Sequence, residues 1–131
     1  TLYGDMSGGL SVISDLSKTD VYTLANWINS KYPGRIPLGS IKKPPSAELA
    51  PNQVDPYDYD IVSPLVDFII EEGKTIIQLG ELGIDKELVN LVYQKIRVSE
   101  YKRRQAAPGL RVSTKAFGIG RRFPIVNHFK N

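Results

Sequence analysis

Lys42-Lys43-Pro44-Pro45-Ser46-Ala47-Glu48-Leu49 is the stretch from which the rest of the chain is read. Two lysines run into two prolines, and a short Ser-Ala-Glu-Leu turn follows. Pro44 and Pro45 have no backbone N–H and hold φ near −65°, so they form a stiff, extended approach. The first donors beyond them are the Ser46 hydroxyl and the backbone N–H groups from Ser46 onward. Lys43 adds positive charge at the same place, a combination suited to an oxyanion such as phosphate. A solvated proline-rich loop has the same composition, so the surrounding sequence must decide between the two. Residues 35–62 also contain Pro37, Pro51 and Pro56 with few periodic apolar positions. A loop of that length tends to be a lid or a binding segment. Within it Asp55, Asp58 and Asp60 alternate with Tyr57 and Tyr59. The spacing lacks the glycine and terminal glutamate of a calcium loop and reads as solvated acidic chain.

Helical patterns flank this loop. Upstream, Val21, Leu24, Ala25 and Ile28 fall at i, i+3, i+4 and i+7, predicting a helix that starts near residues 14–17 and stops at Pro33-Gly34. Lys18 then lies in its first turn, facing the positive end of the helix dipole, an unfavourable contribution of about 0.3–1 kcal/mol. Either Asp15 and Asp20 offset that locally, or Lys18 and the first-turn N–H groups share an anion. Downstream, Ser63 is expected to cap a helix with Pro64 at its first position, Leu65, Phe68 and Ile69 on its apolar face and Gly73 at its end. A short helix is expected over about 75–81. Asp85 caps what should be the longest helix, with Leu88, Leu91, Val92 and Ile96 facing the core, running on through Gln105 and ending before Pro108-Gly109.

The 131 residues are enough for one domain, and 41% hydrophobic with 24% charged residues is ordinary for a globular chain. The absence of cysteine excludes disulfides, thiolate zinc sites and a cysteine nucleophile within this sequence. No apolar run approaches a membrane span of about 18 residues. The net charge of +3 hides an asymmetry. Residues 1–94 carry 7 Lys/Arg against 13 Asp/Glu, net −6, whereas residues 95–131 carry 10 Lys/Arg against Glu100 alone, net +9. A basic tail on an acidic body implies either an anionic partner or docking of the tail on the body. The tail is too apolar to be free chain and is expected to pack along the body in extended form. The glycines at 4–9 read as a tight-turn loop allowing close backbone approach. His128, the lone histidine, carries no assigned role.

Taken in order, several strings resemble the C-terminal part of the glutamine-dependent NAD synthetases. They are Thr1-Leu2-Tyr3-Gly4-Asp5-Met6, Leu16-Ser17-Lys18-Thr19 with Val21-Tyr22, and Lys43 to Leu49. They continue with Tyr59-Asp60, Glu100-Tyr101-Lys102-Arg103-Arg104-Gln105, Pro108-Gly109, Lys115 to Gly118 and Arg121-Arg122. Together they cover nearly the whole chain. The resemblance implies a ligase of the ATP pyrophosphatase type: ATP adenylates the nicotinate carboxylate of deamido-NAD, and ammonia derived from glutamine then displaces AMP to form NAD. It places Lys18, Ser46 and Lys43 on ATP, and Lys102, Tyr101 and Asp5 on deamido-NAD. Tyr101 stands where the shorter, ammonia-only enzymes usually carry histidine. Leu2 and Gly9 stand where those enzymes have a lysine and an aspartate. Ser7-Gly8-Gly9-Leu10 begins like the family's phosphate loop but lacks its aspartate-serine pair, so that loop, the magnesium ligands and the glutaminase domain are expected upstream of Thr1.

The expectation is therefore a mainly α segment: about four helices around one core, a long proline-rich loop and an extended basic tail. It would be the C-terminal portion of an α/β ligase domain, with no complete second domain and no catalytic or metal-binding residue of its own. ATP and magnesium are the implied cofactors. The parent would be a cytoplasmic homodimer or larger homo-oligomer, without membrane or nucleic-acid partners, and the segment alone would be inactive. The alternative is a non-catalytic basic helical module that binds nucleic acid through residues 95–122.

Overall fold

The computed structural model describes residues 8–126; Asp5, Leu2 and His128 lie outside them. The described residues form six α-helices and one 3-10 turn, with no β-strand beyond a single parallel bridge between Ser11 and Gly109. The chain divides into two compact units: Ser17–Ser63, and the residues from Pro64 onward together with those up to Leu16.

In the first unit, α1 spans Lys18–Lys31 and α2 spans Leu38–Lys42. Ser17 caps α1 in a reciprocal box with Asp20: the Asp20 N–H donates to Ser17 Oγ at 3.2 Å, and the Ser17 N–H returns to Asp20 Oδ2 at 3.3 Å. Asn29 fixes the chain between the helices by donating to the Ile36 carbonyl at 2.8 Å and accepting from its N–H at 2.9 Å. The expected apolar stripe on α1 exists but is not core. No residue of α1 is buried, and Leu24 and Trp27 are exposed. A unit this short has too little chain to cover such a stripe.

α3 spans Tyr59–Ile70, so Ser63 is not its cap and Pro64 lies inside it. The helix starts five residues early because Asp58 is a competent cap: its side chain accepts from the Asp60 N–H at 3.0 Å, and its carbonyl accepts from the Val62 N–H at 2.9 Å. Pro64 forgoes only the bond to Asp60, one turn in.

The second unit holds the apolar core. Leu65, Ile69 and Ile70 of α3 are buried, as are Leu79 of α4 (Ile76–Glu81) and Val89 and Val92 of α5 (Lys86–Val98). Thr75 with Gln78 boxes the start of α4, and Asp85 caps α5 by accepting from the Leu88 N–H at 2.8 Å. Gly73, at φ 67°, turns the chain after α3. Two expectations fail on α5. Val89 takes the core place given to Leu91, which is exposed. The helix also does not run through to Gln105; it breaks at Ser99 (ψ 4°) and restarts as α6, Glu100–Gln105. Six helices form rather than four, because α2 arises within the expected loop and the last helix splits into α5 and α6.

The tail is not a simple extended strap. It pairs with Ser11 at Gly109, curls through residues 111–118, and closes in the 3-10 turn Ile119–Arg121. Gly118, at φ 87°, makes the reversal. Among the described residues the close backbone approaches fall at Gly109 and Gly120, whereas Gly8 and Gly9 face open space. A Cβ on Gly109 would collide with the Ser14 side chain and stand 2.9 Å from the Ser11 carbonyl oxygen. Gly109→Ala is expected to cost about 1–3 kcal/mol, the usual range for overpacking. An unchanged urea midpoint would show that this approach is not needed.

Candidate functional site

Lys43 and Ser46 line one hollow of about 460 Å³, together with Pro44, Glu48, Asn52 and Gln53. The turn behind it is held by one backbone bond and one side-chain bond. The Asp55 N–H donates to the Pro45 carbonyl at 2.8 Å, and the Leu49 N–H donates to Gln53 Oε1 at 2.8 Å. Ser46 Oγ accepts the Glu48 N–H at 3.0 Å, and Lys43 Nζ pairs with the Glu48 carboxylate.

Lys43 and Pro44 also line a second hollow of about 530 Å³ in the same unit, whose walls include Tyr22, Asn26, Tyr57 and Tyr59. Lys18, the first residue of α1, rests with Nζ 5.6 Å from the centroid of the Tyr59 ring. The Tyr59 hydroxyl donates to Asp55 Oδ2 at 2.7 Å. Burial first, then that hydrogen bond and the charges of Asp55, Tyr57 and Tyr22, push the Tyr59 phenol up to about 12. It stays neutral and keeps its donor. Structure therefore brings Lys43, Ser46 and, through Tyr59, Lys18 into one neighbourhood. The acidic loop is also not merely solvated: Asp55 anchors Tyr59, and Asp58 caps α3.

The two carboxylates proposed to offset Lys18 have other work. Asp20 is in the capping box. Asp15, only 5% exposed, accepts the backbone N–H groups of Val112 (2.7 Å), Ser113 (2.8 Å) and Phe117 (2.6 Å) and the Ser113 hydroxyl (2.9 Å). Arg121 Nη2 stands 3.4 Å away. Burial by itself would raise the Asp15 carboxyl, but the N–H groups of Ser113, Val112 and Phe117 and the Ser113 hydroxyl more than offset it and hold the group down at about 2.

In the second unit Tyr101 and Lys102 stand on α6, Tyr101 exposed and Lys102 half-buried. The helix is organised by Glu100, which is 1% exposed. It accepts from Arg103 Nη2 at 3.0 Å, Arg104 Nε at 3.0 Å and the Phe123 N–H at 3.0 Å. Burial opposes the charge on Glu100, yet the Phe123 N–H, Arg104 and Arg103 together keep its carboxyl below the ordinary range.

Part of the tail's positive charge is used internally. Arg121 reaches Asp15 and Glu71, Lys115 Nζ donates to the Ile70 carbonyl, and Arg111 donates to the Ser113 and Thr114 carbonyls of its own turn. Tail docking, one of the two readings of the charge asymmetry, is seen in these contacts. Sequence reasoning missed Asp15, Glu48 and Tyr59 as organising groups. It also passed over Glu100, although a lone carboxylate among ten cations signals a pairing hub. No group of three or more His, Cys, Asp or Glu side chains comes together among the described residues, so they offer no set to hold magnesium.

A helical segment with a proline-stiffened cationic loop is the class this geometry defines. The model of the NAD synthase family matches residues 1–106, and the chain belongs to that family. Glutamine-dependent NAD(+) synthetase from Thermotoga maritima is 45% identical over 99% of this chain and 23% of its own length. The protein of the same name from Synechocystis is 43% identical over 98% of this chain and 24% of its own. Among solved structures, glutamine-dependent NAD+ synthetase from Acinetobacter baumannii in complex with ADP matches with TM-score 0.51 and 38% identity, covering 97% of this chain and 22% of that one. The chain thus spans about a quarter of the length of these curated relatives.

Proposed function

We propose that residues 1–131 are the C-terminal portion of the ligase domain of a glutamine-dependent NAD synthetase. There they supply contacts to ATP and deamido-NAD for adenylation of the nicotinate carboxylate and its amidation by ammonia from glutamine. The observation that carries this reading is the convergence of Lys43 and Ser46 on one hollow, with Lys18 seated on Tyr59 in the wall of the adjoining one. The relatives' names and the ADP complex of the Acinetobacter baumannii protein support it.

The chemistry explains the residue types. Adenylation crowds the phosphates of two nucleotides, and negative charge develops on the departing pyrophosphate. Ammonium groups and hydroxyl donors fixed beforehand lower that barrier. Lys18 and Lys43 provide the charge, and Ser46 a short-range hydrogen bond. Lys102, Tyr101 and Asp5 are assigned to deamido-NAD. Magnesium, when bound, would neutralise phosphate charge; the described residues offer no cluster to hold it. The nucleic-acid alternative gains no support from the family match, and within the stretch it needs Arg103 and Arg104 are paired with Glu100 and Arg121 with Asp15.

In the complete enzyme, Lys18→Ala and Ser46→Ala are expected to slow adenylation about 10- to 100-fold each, as loss of a charge-assisted hydrogen bond of about 1.5–3 kcal/mol implies. Lys102→Ala should raise KM for deamido-NAD by a similar factor. Normal single-turnover adenylation in both of the first two variants removes the phosphate assignment. The segment alone should form no NAD from deamido-NAD, ATP and ammonia.

A further inference from the structure

We propose that Glu48 is a specificity-determining residue of the nucleotide site: it plays the part of the phosphate while the loop is empty and must be displaced by the incoming polyanion. The inference rests on the phosphate reading of Lys43 and Ser46 given above and deepens it. Glu48 engages both groups at once. Its carboxylate pairs with Lys43 Nζ, and its backbone N–H donates to Ser46 Oγ at 3.0 Å. Of the residues lining the smaller hollow it is the one carboxylate. Its backbone is at φ 53°, a left-handed conformation that a non-glycine residue adopts at a cost, and here that conformation accompanies a turn that brings the carboxylate back to the lysine.

The pair is built to exchange. The side chains of Lys43 and Glu48 remain 58% and 63% exposed, so the bond is screened and weak, and a multivalent phosphate can outcompete a single carboxylate. While it lasts, the Glu48 carboxylate neutralises Lys43, and the Ser46 hydroxyl, held as an acceptor by the Glu48 N–H, keeps its own O–H free to donate. A weakly charged ligand must pay for the displacement without gaining enough in return, whereas a triphosphate gains several contacts. Glu48 therefore sets an electrostatic threshold for entry.

The test uses the complete enzyme, with ATP as the probe, at low and at high salt. Glu48→Gln keeps the size and removes the charge, and is expected to lower KM for ATP about two- to five-fold at low salt, the reach of an exposed ion pair. The gain should shrink at high salt. It should vanish when Glu48→Gln is introduced into Lys43→Gln, which by itself raises KM for ATP. A structural defect does not tighten binding, so a fall in KM reads the charge. If Lys43→Gln raises KM for ATP but Glu48→Gln leaves it unchanged or raises it, the threshold is refuted and the phosphate site stands. If Lys43→Gln itself leaves KM unchanged, the phosphate site is refuted along with it.

Discussion

Asp15→Ala is expected to destabilise the protein by about 3–5 kcal/mol, because one carboxylate is the common acceptor for most of the tail's inward-facing donors. The N–H groups of Val112, Ser113 and Phe117, the Ser113 hydroxyl and Arg121 all meet it, across 97 to 106 residues of sequence. Removing it leaves several donors without an acceptor in a place where water replaces it poorly, and each such donor costs about 1–3 kcal/mol. Asp15→Asn is the sharper variant. It preserves shape and one oxygen but turns an N–H₂ toward groups that are themselves donors, so a loss there reports acceptor capacity and not volume. The tail should loosen first, giving new tryptic cuts at Arg111 and Lys115. A urea midpoint of Asp15→Asn within error of the parent would show that the carboxylate is dispensable.

The same group predicts a pH dependence. Its folded value is about 2 against an ordinary 3.8, so the folded state favours the ionised form. A depressed carboxyl contributes stability that is fully present above pH 3.8 and lost as pH falls from there through about 2. The difference amounts to roughly 2–3 kcal/mol. In Asp15→Asn that part of the acid sensitivity should disappear, leaving the contribution of Glu100, whose carboxyl is lowered in the same sense.

Glu100→Gln should be comparably severe, again about 3–5 kcal/mol, for a different reason: it leaves a buried cation without its partner. The Arg103 side chain is only 8% exposed, with Nη2 also donating to the Ile96 carbonyl and the guanidinium 5.7 Å from the centroid of the Phe123 ring. Phe123 in turn meets Tyr93 edge-on at 6.2 Å. Removing one charge unbalances this cluster, while replacing Glu100 and Arg103 together by apolar residues should recover much of the loss. Because Tyr101 and Lys102 share the six-residue helix that Glu100 anchors, the single variant should raise KM for deamido-NAD more than KM for ATP in the complete enzyme. Equal changes in both would mean that α6 does not serve the dinucleotide in particular.

Local physics was legible wherever one residue type had one local use. Asp85 caps the helix it was expected to cap, α1 and α4 begin close to where they were expected, after Ser17 and Thr75, and the Lys43–Ser46 turn does gather a lysine and a hydroxyl on one hollow. Ser63-Pro64 misled because two start signals competed. The proline pair reads as strongly as a cap, yet Asp58, five residues earlier than Ser63, starts the helix first. The α1 stripe misled because periodicity reports that a face is apolar, not that anything covers it.

The sequence by itself determined the helical class, the Asp85 cap, the stiff loop and the segregation of charge into an acidic body and a basic tail, since each follows from neighbours a few residues apart. Only tertiary structure decided that part of the tail's charge is turned inward. It also decided that Ser99 breaks the last long helix, and that Asp15 and Glu100 are the acceptors on which the tail closes. Those bonds join groups up to 106 residues apart, and a carboxylate's partners at that range are chosen by how the chain packs.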